Sequence, residues 1–292
     1  MKVFDIFKII IRLSHLDKVL RIFTAGKKYD SLPGKMIPNL YQYPAGTIRR
    51  CSYNGIRFEV DIHDYYGNFI YFGFFDSSQN SLFGLCRPGD TIIDIGTNIG
   101  FSLLNMAKIA GTAGQVIGFE PDGENFSRLR KNISLNNFGN VKVSRLGLGD
   151  RPGKFMLENI IEYNNSGKRI TVAAATSSAG ATEVEIDTLD NFISSGDNLL
   201  PKIDLIKIDV EGFELNVLKG AQDTLRKYSP LLFIELDDRN LKAQSASAQE
   251  LIRFLSQNEY AAVSAENNLM LTEENNFTDC HYDIICRRKL HT

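Results

Sequence analysis

The stretch TIIDIGTNIGFSLL, residues 91–104, sets the reading of the whole chain. Its first five residues are nearly all apolar or β-branched, as expected of a strand buried on both faces of a sheet. Gly96 permits a tight turn, Gly100 permits a helix to pack close against the sheet, and the apolar spacing over 99–110 is helical. A strand, a glycine turn and a helix in that order form the ligand-holding corner of an open α/β sheet. The unpaired N–H groups at the start of the helix point at whatever sits there.

Working outward, strands and helices alternate as in a parallel sheet covered on both faces. Strands are expected at 91–95, 115–120, 141–146, 205–209 and 231–236, with helices at 99–110, 122–135, 213–227 and 247–258. The last two strands, YAAVSA and YDIICRR, are joined by a connection too polar for a crossover helix, and are read as antiparallel. The fold class is therefore α/β: a doubly wound, Rossmann-like sheet, mostly parallel, with an antiparallel C-terminal hairpin strand. It is preceded by an N-terminal extension of helix and β-hairpin, the hairpin being signalled by Asn54-Gly55 between TIRRCSY and IRFEVDIH. The domain reading is a helical arm at 1–46, a hairpin and aromatic lead-in at 47–90 that serves as an acceptor lid, and a cofactor-binding domain at 91–292. The interval 151–185 breaks the alternation and is read as an insertion that helps close over the acceptor.

Composition narrows the partners. The 292 residues are 43% hydrophobic and 23% charged, with a net charge of -2, so no overall basic field attracts nucleic acid. The four cysteines (Cys51, Cys86, Cys280, Cys286) form no C-x-x-C pair and lie beside no histidine at metal spacing, which points to free thiols and no metal site. The apolar N-terminus is interrupted by Asp5, Lys8, Arg12, Asp17, Lys18 and Arg21, unlike a signal peptide or a membrane span. It reads as an amphipathic helix, and contact with a membrane surface stays open for it, as does a homo-oligomer. The compartment expected is the cytoplasm.

The turn reads G-x-N-x-G. A dinucleotide site needs glycine at its second position so that the backbone can close on a pyrophosphate, and here that position is Asn98. Its side chain obstructs a diphosphate yet can hydrogen-bond an amino acid's carboxylate or amine, which turns the expectation from NAD toward S-adenosylmethionine. Glu120 stands 24 residues after Gly96, at the end of the next strand, where a carboxylate can accept both hydroxyls of a ribose. Pro121 keeps Glu120 extended and Asp122 caps the following helix. The third motif, DLIKIDVEGFELNVLKGA, carries Asp209, Glu211 and Glu214 at the carboxyl end of a strand. The D/N-P-P-Y/F stretch of amide- and base-methylating enzymes is absent, and acids there suit a hydroxyl acceptor that must lose a proton.

Together DTIIDIGTNIG, GFEPD, TLDNFI and KIDVEGFELNVLKGA closely resemble the FkbM-type family of S-adenosylmethionine-dependent methyltransferases, over about residues 55–290. The resemblance implies a class I methyltransferase fold and O-methylation of hydroxyls on sugars, glycans or secondary metabolites. The expected cofactor set is Asp94, Gly96, Thr97, Asn98, Gly100, Glu120, Pro121, Asp122, Gly147 and Asp209. Asp209, Glu211 and Glu235 are the candidates for the reacting groups. A metal held by the clustered carboxylates is the minor alternative. His63 and His281 are better read as surface or structural histidines. The aromatic run YYGNFIYFGFF, 65–75, is first of all core, with a secondary reading as a wall for a sugar ring beside Arg57, His63, Asp64 and Asn68. The competing functions are an NAD-dependent oxidoreductase, disfavoured by Asn98 and by the lack of a Y-x-x-x-K pair, and a non-catalytic cofactor-binding scaffold, disfavoured by the intact acids.

Overall fold

Asn54 and Gly55 both take left-handed backbone angles, φ +50° and +75°, as a two-residue type I′ hairpin turn demands. They join β1 (Ile48–Tyr53) to β2 (Ile56–Asp61) as an antiparallel pair with Tyr53 opposite Ile56. In this computed structural model residues 16–39, 42–159, 168–171, 181–195 and 200–289 are described. The chain divides into two compact units: Met1–Ser77 with Arg130–Asn137 and Glu162–Ser166, and the remainder.

In the first unit the hairpin is accompanied by α1 (Asp17–Thr24) and α2 (Tyr65–Phe72). Asp64 starts α2 by accepting from the Tyr66 N–H at 2.8 Å, and Gly73 ends it in the left-handed conformation. The aromatic run is core here: Tyr71, Phe72 and Phe74 are almost wholly buried, and Tyr29 meets Phe74 edge-on at 5.0 Å. Its polar neighbours are also tied down locally. The Asn68 amide donates to the Ile62 carbonyl at 3.2 Å, and His63 Nδ1 lies 2.7 Å from the Tyr43 carbonyl. The Arg57 backbone is clasped by Asn136 through both its N–H (2.9 Å) and its carbonyl (2.8 Å).

The second unit is built on an eight-stranded sheet. Its strands are β3 (Thr91–Ile95), β4 (Gln115–Phe119), β5 (Val141–Ser144), β10 (Leu205–Ile208), β11 (Leu231–Asp237), β12 (Tyr260–Ser264), β13 (Met270–Leu271) and β14 (His281–Arg288). Their order is β13-β12-β14-β11-β10-β3-β4-β5. The run β11-β10-β3-β4-β5 is parallel throughout. β14 is antiparallel to both β11 and β12. The long reversed strand is thus internal, inserted between β11 and β12, where a terminal hairpin alone would have left it at the margin; the two-residue β13, antiparallel to β12, is the reversed strand at the edge. The crossover from β11 to β12 skips one place, and the last strand fills the gap, satisfying backbone groups on both sides.

Helices α4 (Phe101–Ala110) and α5 (Gly123–Ser134) come after β3 and β4, and α7 (Glu214–Lys219), α8 (Gln222–Tyr228), α9 (Asp238–Ala243) and α10 (Ala248–Gln257) come after β10 and β11; α3 (Ser77–Leu85) precedes β3 and α6 (Leu189–Ser194) precedes β10. Because β3 starts a run in one direction and β10 a run in the other, right-handed crossovers carry the two sets of helices to opposite faces. The helix expected over 213–227 is two. The Asp190 N–H donates to the Gly220 carbonyl at 3.0 Å and takes it out of the helical ladder. One core face gathers Ile93, Ile95, Ile117, Phe119, Ile206, Ile208, Ile234 and Leu236 with α6, α7, α8 and α10. Alternation then puts Asp94, Lys207 and Glu235 on the other face.

The insertion carries a second sheet. β6 (Gly147–Leu148), β7 (Gly153–Asn159), β8 (Lys168–Thr171) and β9 (Thr182–Asp187) lie in the order β6-β9-β7-β8. Phe155, Leu157, Val184 and Ile186 form its apolar face, packed around Phe213. The expected closing part of this insertion at 160–167 and 172–180 lies outside the described residues.

Candidate active site

The strand order reverses between β3 and β10, so a crevice forms at their carboxyl ends, the place where open α/β sheets bind ligands. Gly96 makes the turn out of β3 with φ +81°, and a Cβ on it would stand 1.8 Å from the Asp209 carbonyl oxygen. Only glycine lets the two strand ends come this close. Gly100, with φ +93°, precedes α4, and a Cβ there would strike Leu129 at 2.6 Å; the close approach is thus to the helix after β4, where the sequence suggested the sheet. Between them Asn98 is left-handed too, φ +51°, a conformation Asn tolerates better than most residues. Its role therefore begins with its backbone: the Asn98 N–H donates to Glu120 Oε2 at 2.8 Å.

Glu120 directly follows β4. Its second oxygen, Oε1, accepts the Asp122 N–H at 3.0 Å. The carboxylate is 5% exposed and joins the glycine turn to the start of α5. Asp122 caps α5, accepting from the Glu124 and Asn125 N–H groups at 3.1 and 2.8 Å. Thr97 is buried, its hydroxyl donating to the Asp94 carbonyl at 3.0 Å. Pro121 holds the chain between Glu120 and Asp122, and Gly147 lies in β6 opposite Ile186 at the root of the second sheet.

Under the turn is a buried ion cluster that spacing did not reveal. Lys207 stands directly opposite Asp94 in the β10–β3 register and is 3% exposed. Its ammonium lies 3.0 Å from Asp209, 3.4 Å from Asp94 and 3.1 Å from the Gly96 carbonyl, to which it donates. Asp94 is fully buried and also accepts the Ser102 hydroxyl at 2.9 Å. Burial pushes the Asp94 carboxyl up from its ordinary value, with Lys207 and Ser102 pulling against it. The only signal in the sequence was a lysine inside an otherwise apolar strand, LIKI, and it is easily taken for a solvated strand end.

The three acids of the D-V-E-G-F-E block separate in space. Glu214 folds inward, 1% exposed, and its Oε1 accepts the Val210 and Gly212 N–H groups at 3.1 and 3.0 Å. Burial raises its carboxyl to about 7 against those two donors. It shapes the turn from the inside and does not face the crevice rim. Asp209 and Glu211 stay partly accessible, Glu211 accepting the Asn240 amide at 2.9 Å. Glu235, on β11 opposite Asp283 of β14, lies near enough to feel the charges of Asp209 and Glu211. Its Oε2 is buried with no hydrogen-bond partner among the described residues. Burial, then the like charges of Asp209, Glu211, Glu214 and Asp283, raise the Glu235 carboxyl well above its ordinary range. Asn240 and Asp283 were not singled out from sequence. His281 pairs with Asp237 at 2.8 Å, which raises its pKa, and its side chain is mostly exposed. Among the described residues no group of three His, Cys, Asp or Glu side chains is arranged to hold a metal ion.

A family profile described as "Methyltransferase FkbM domain" matches residues 94–262, more than half of the chain, including the glycine turn, Glu120, Lys207, Asp209, Glu211 and Glu235. The chain belongs to the FkbM methyltransferase family. The family is S-adenosylmethionine-dependent. The FkbM-family chain is similar to "Hexuronic acid methyltransferase AglP" of Haloferax volcanii, with 34% identity over 47% of this chain and 52% of that protein. It is also similar to "2-O-methyltransferase NoeI" of Sinorhizobium fredii, with 27% identity over 53% of this chain and 66% of that protein. It thus spans about half the length of the first of these relatives. A crystal structure of "Methyltransferase FkbM" from Methylobacillus flagellatus KT is 15% identical and covers 96% of this chain and 60% of that one, with a TM-score of 0.42. No helix among the described residues is long and apolar enough to cross a membrane.

Proposed function

We propose that this FkbM-family chain is an O-methyltransferase that acts on a hydroxyl of a sugar, glycan or secondary metabolite. The observation that carries the reading is the acid group at the carboxyl ends of β10 and β11. Asp209, Glu211 and Glu235 meet beside the glycine turn, and burial, then the like charges around it, makes Glu235 hold a proton tightly. An aliphatic hydroxyl is too weak a nucleophile until its proton is taken by a group of this kind within hydrogen-bond reach. The names of two relatives, one for hexuronic acid and one for a 2-O position, favour a carbohydrate acceptor.

The residues also fit the cofactor. Glu120 is fixed by two backbone donors, one on each oxygen, at the end of β4, the place where a carboxylate recognises a ribose diol on this fold. The N-terminus of α4 and Asn98 suit the amino-acid end, and nothing in G-x-N-x-G makes room for a diphosphate. When bound, S-adenosylmethionine supplies a methyl group already activated by its sulfonium. The chain's own task is then to align the acceptor oxygen, exclude water and remove one proton.

The test is calorimetry with S-adenosylmethionine and with NAD, followed by labelled-methyl transfer to hexuronic acid glycosides, neutral glycosides and phenolic metabolites. S-adenosylmethionine binds and NAD does not; Glu120→Ala weakens that binding about tenfold or more. Glu235→Gln keeps cofactor affinity but slows transfer by about a hundredfold. Binding of NAD alone, or binding of S-adenosylmethionine without transfer to any acceptor, overturns the proposal.

A further inference from the structure

The first unit contains a cavity of about 590 Å³ lined by Lys18, Arg21, Ile48, Arg49, Arg50 and Tyr71. Four of its six lining side chains are cationic. This chain is otherwise slightly acidic, with a net charge of -2, so the concentration is local and against the overall balance.

Two carboxylates answer part of that charge. Arg49 pairs with Asp17 at 2.7 Å, and Asp17 is 1% exposed. Arg50 pairs across the hairpin with Glu59 at 2.8 Å. Lys18 and Arg21 bring charge beyond these pairs, leaving, among the described residues, an excess of two positive charges around the cavity. Tyr71 does not supply an anion to offset it. Burial and the nearby Asp17 push its hydroxyl up to about 12, so the ring stays neutral. Arg21 is also held in place: Nη2 donates to the Ser52 carbonyl on β1, and its guanidinium lies over the Tyr71 ring, 5.7 Å from the centroid. β1 pairs only with β2 among the described strands, so its other edge is open to α1, which provides Lys18 and Arg21.

Like charges gathered in one concavity repel unless an anion sits among them. Guanidinium forks match the oxygens of phosphate, and two excess charges match a phosphate dianion. The volume exceeds what a bare phosphate needs and falls in the range of sites for small organic ligands. We propose that this cavity binds a phosphate-bearing group, either the phosphate or diphosphate of a soluble sugar or nucleotide conjugate, or the phosphate of a lipid headgroup. The proposal stands apart from the methyl-transfer reading, because none of its residues belongs to the acid and glycine-turn site. The two sources share one chemistry. The lipid arm is worth testing because the same helix exposes Val19, Ile22 and Phe23, 48%, 75% and 61% accessible.

The experiment uses the full chain. Calorimetry at low salt measures pyrophosphate, inorganic phosphate and UDP-glucose, and flotation measures phosphatidylcholine vesicles with and without phosphatidic acid. At least one phosphate-bearing probe binds, and the binding weakens as salt is raised. Lys18→Glu and Arg21→Ala each reduce it about tenfold or more, while binding of S-adenosylmethionine is unchanged. Preference for phosphatidic acid vesicles over the soluble probes assigns the lipid source, and the reverse assigns the soluble one. Circular dichroism confirms that both variants fold; should Arg21→Ala not fold, Lys18→Glu decides alone, since Lys18 is an exposed helix residue. Absence of binding to every probe, or binding that both variants retain, overturns the site.

Discussion

Replacing Lys207 by methionine removes the cation that two carboxylates share, Asp94 at 3.4 Å and Asp209 at 3.0 Å. Lys207 is 4% and Asp94 0% exposed at the side chain, so little water replaces the lost charge. At 3.4 Å and an effective dielectric of about 20, the Coulomb attraction is about 5 kcal/mol. Breaking a buried pair by removing one partner costs about 3–5 kcal/mol. The loss has a pH signature. Burial already raises the Asp94 carboxyl, and without Lys207 it rises further, so the folded variant binds a proton more tightly than the unfolded chain. The variant's stability is thus fullest below the unfolded carboxylate range, about pH 4, and falls as pH climbs toward the raised native value. Urea unfolding followed by circular dichroism at pH 5 and pH 8 measures this, alongside the double variant Lys207→Met with Asp94→Asn. The double variant should recover much of the loss, because no buried charge is left alone. A single-variant cost below about 1 kcal/mol, or a double variant no better than the sum of the two, refutes the account of a coupled buried pair.

Two further outcomes are expected at the same site. Burial raises Glu214 to about 7, above its unfolded value, so its contribution to stability is full in acid and lost as pH passes through about 7. Glu214→Gln should therefore flatten the stability profile between about pH 5 and 8, by about 3 kcal/mol at most; parallel urea-midpoint profiles for the two proteins would falsify this. At Asn98 the left-handed backbone predicts that Asn98→Gly is tolerated and Asn98→Ala costs about 1 kcal/mol in thermal unfolding. If the Asn98 side chain also holds the cofactor, both variants lose S-adenosylmethionine affinity alike; unchanged affinity in Asn98→Gly confines the residue to shaping the turn.

The corner of the fold was legible because its determinants are local. An apolar strand, Gly96, Gly100 and a helical period need only a dozen neighbouring residues, and Asn54-Gly55 needs only two. The cap at Asp122 was readable for the same reason, since it bonds N–H groups two and three residues ahead. Other features were out of reach. Lys207 lies 113 residues from Asp94, and only the register of β10 on β3 turns a lysine in LIKI into the counter-ion of a buried aspartate. Glu214 and Glu211 both stand in D-V-E-G-F-E; the sequence named Glu211 alone as a candidate, but only the folded turn shows Glu214 pointing inward onto N–H groups and Glu211 at the rim beside Asn240.

What the sequence alone determined was the alternation of strands and helices along the parallel sheet and the glycine turn after β3, because hydrophobic period and glycine geometry act within one segment. Only the tertiary structure decided which acids share a crevice, where β14 enters the sheet and how four cations come to line one cavity. Those outcomes depend on strands and helices far apart in the chain being packed side by side, and burial, not spacing, then sets the charge each group carries.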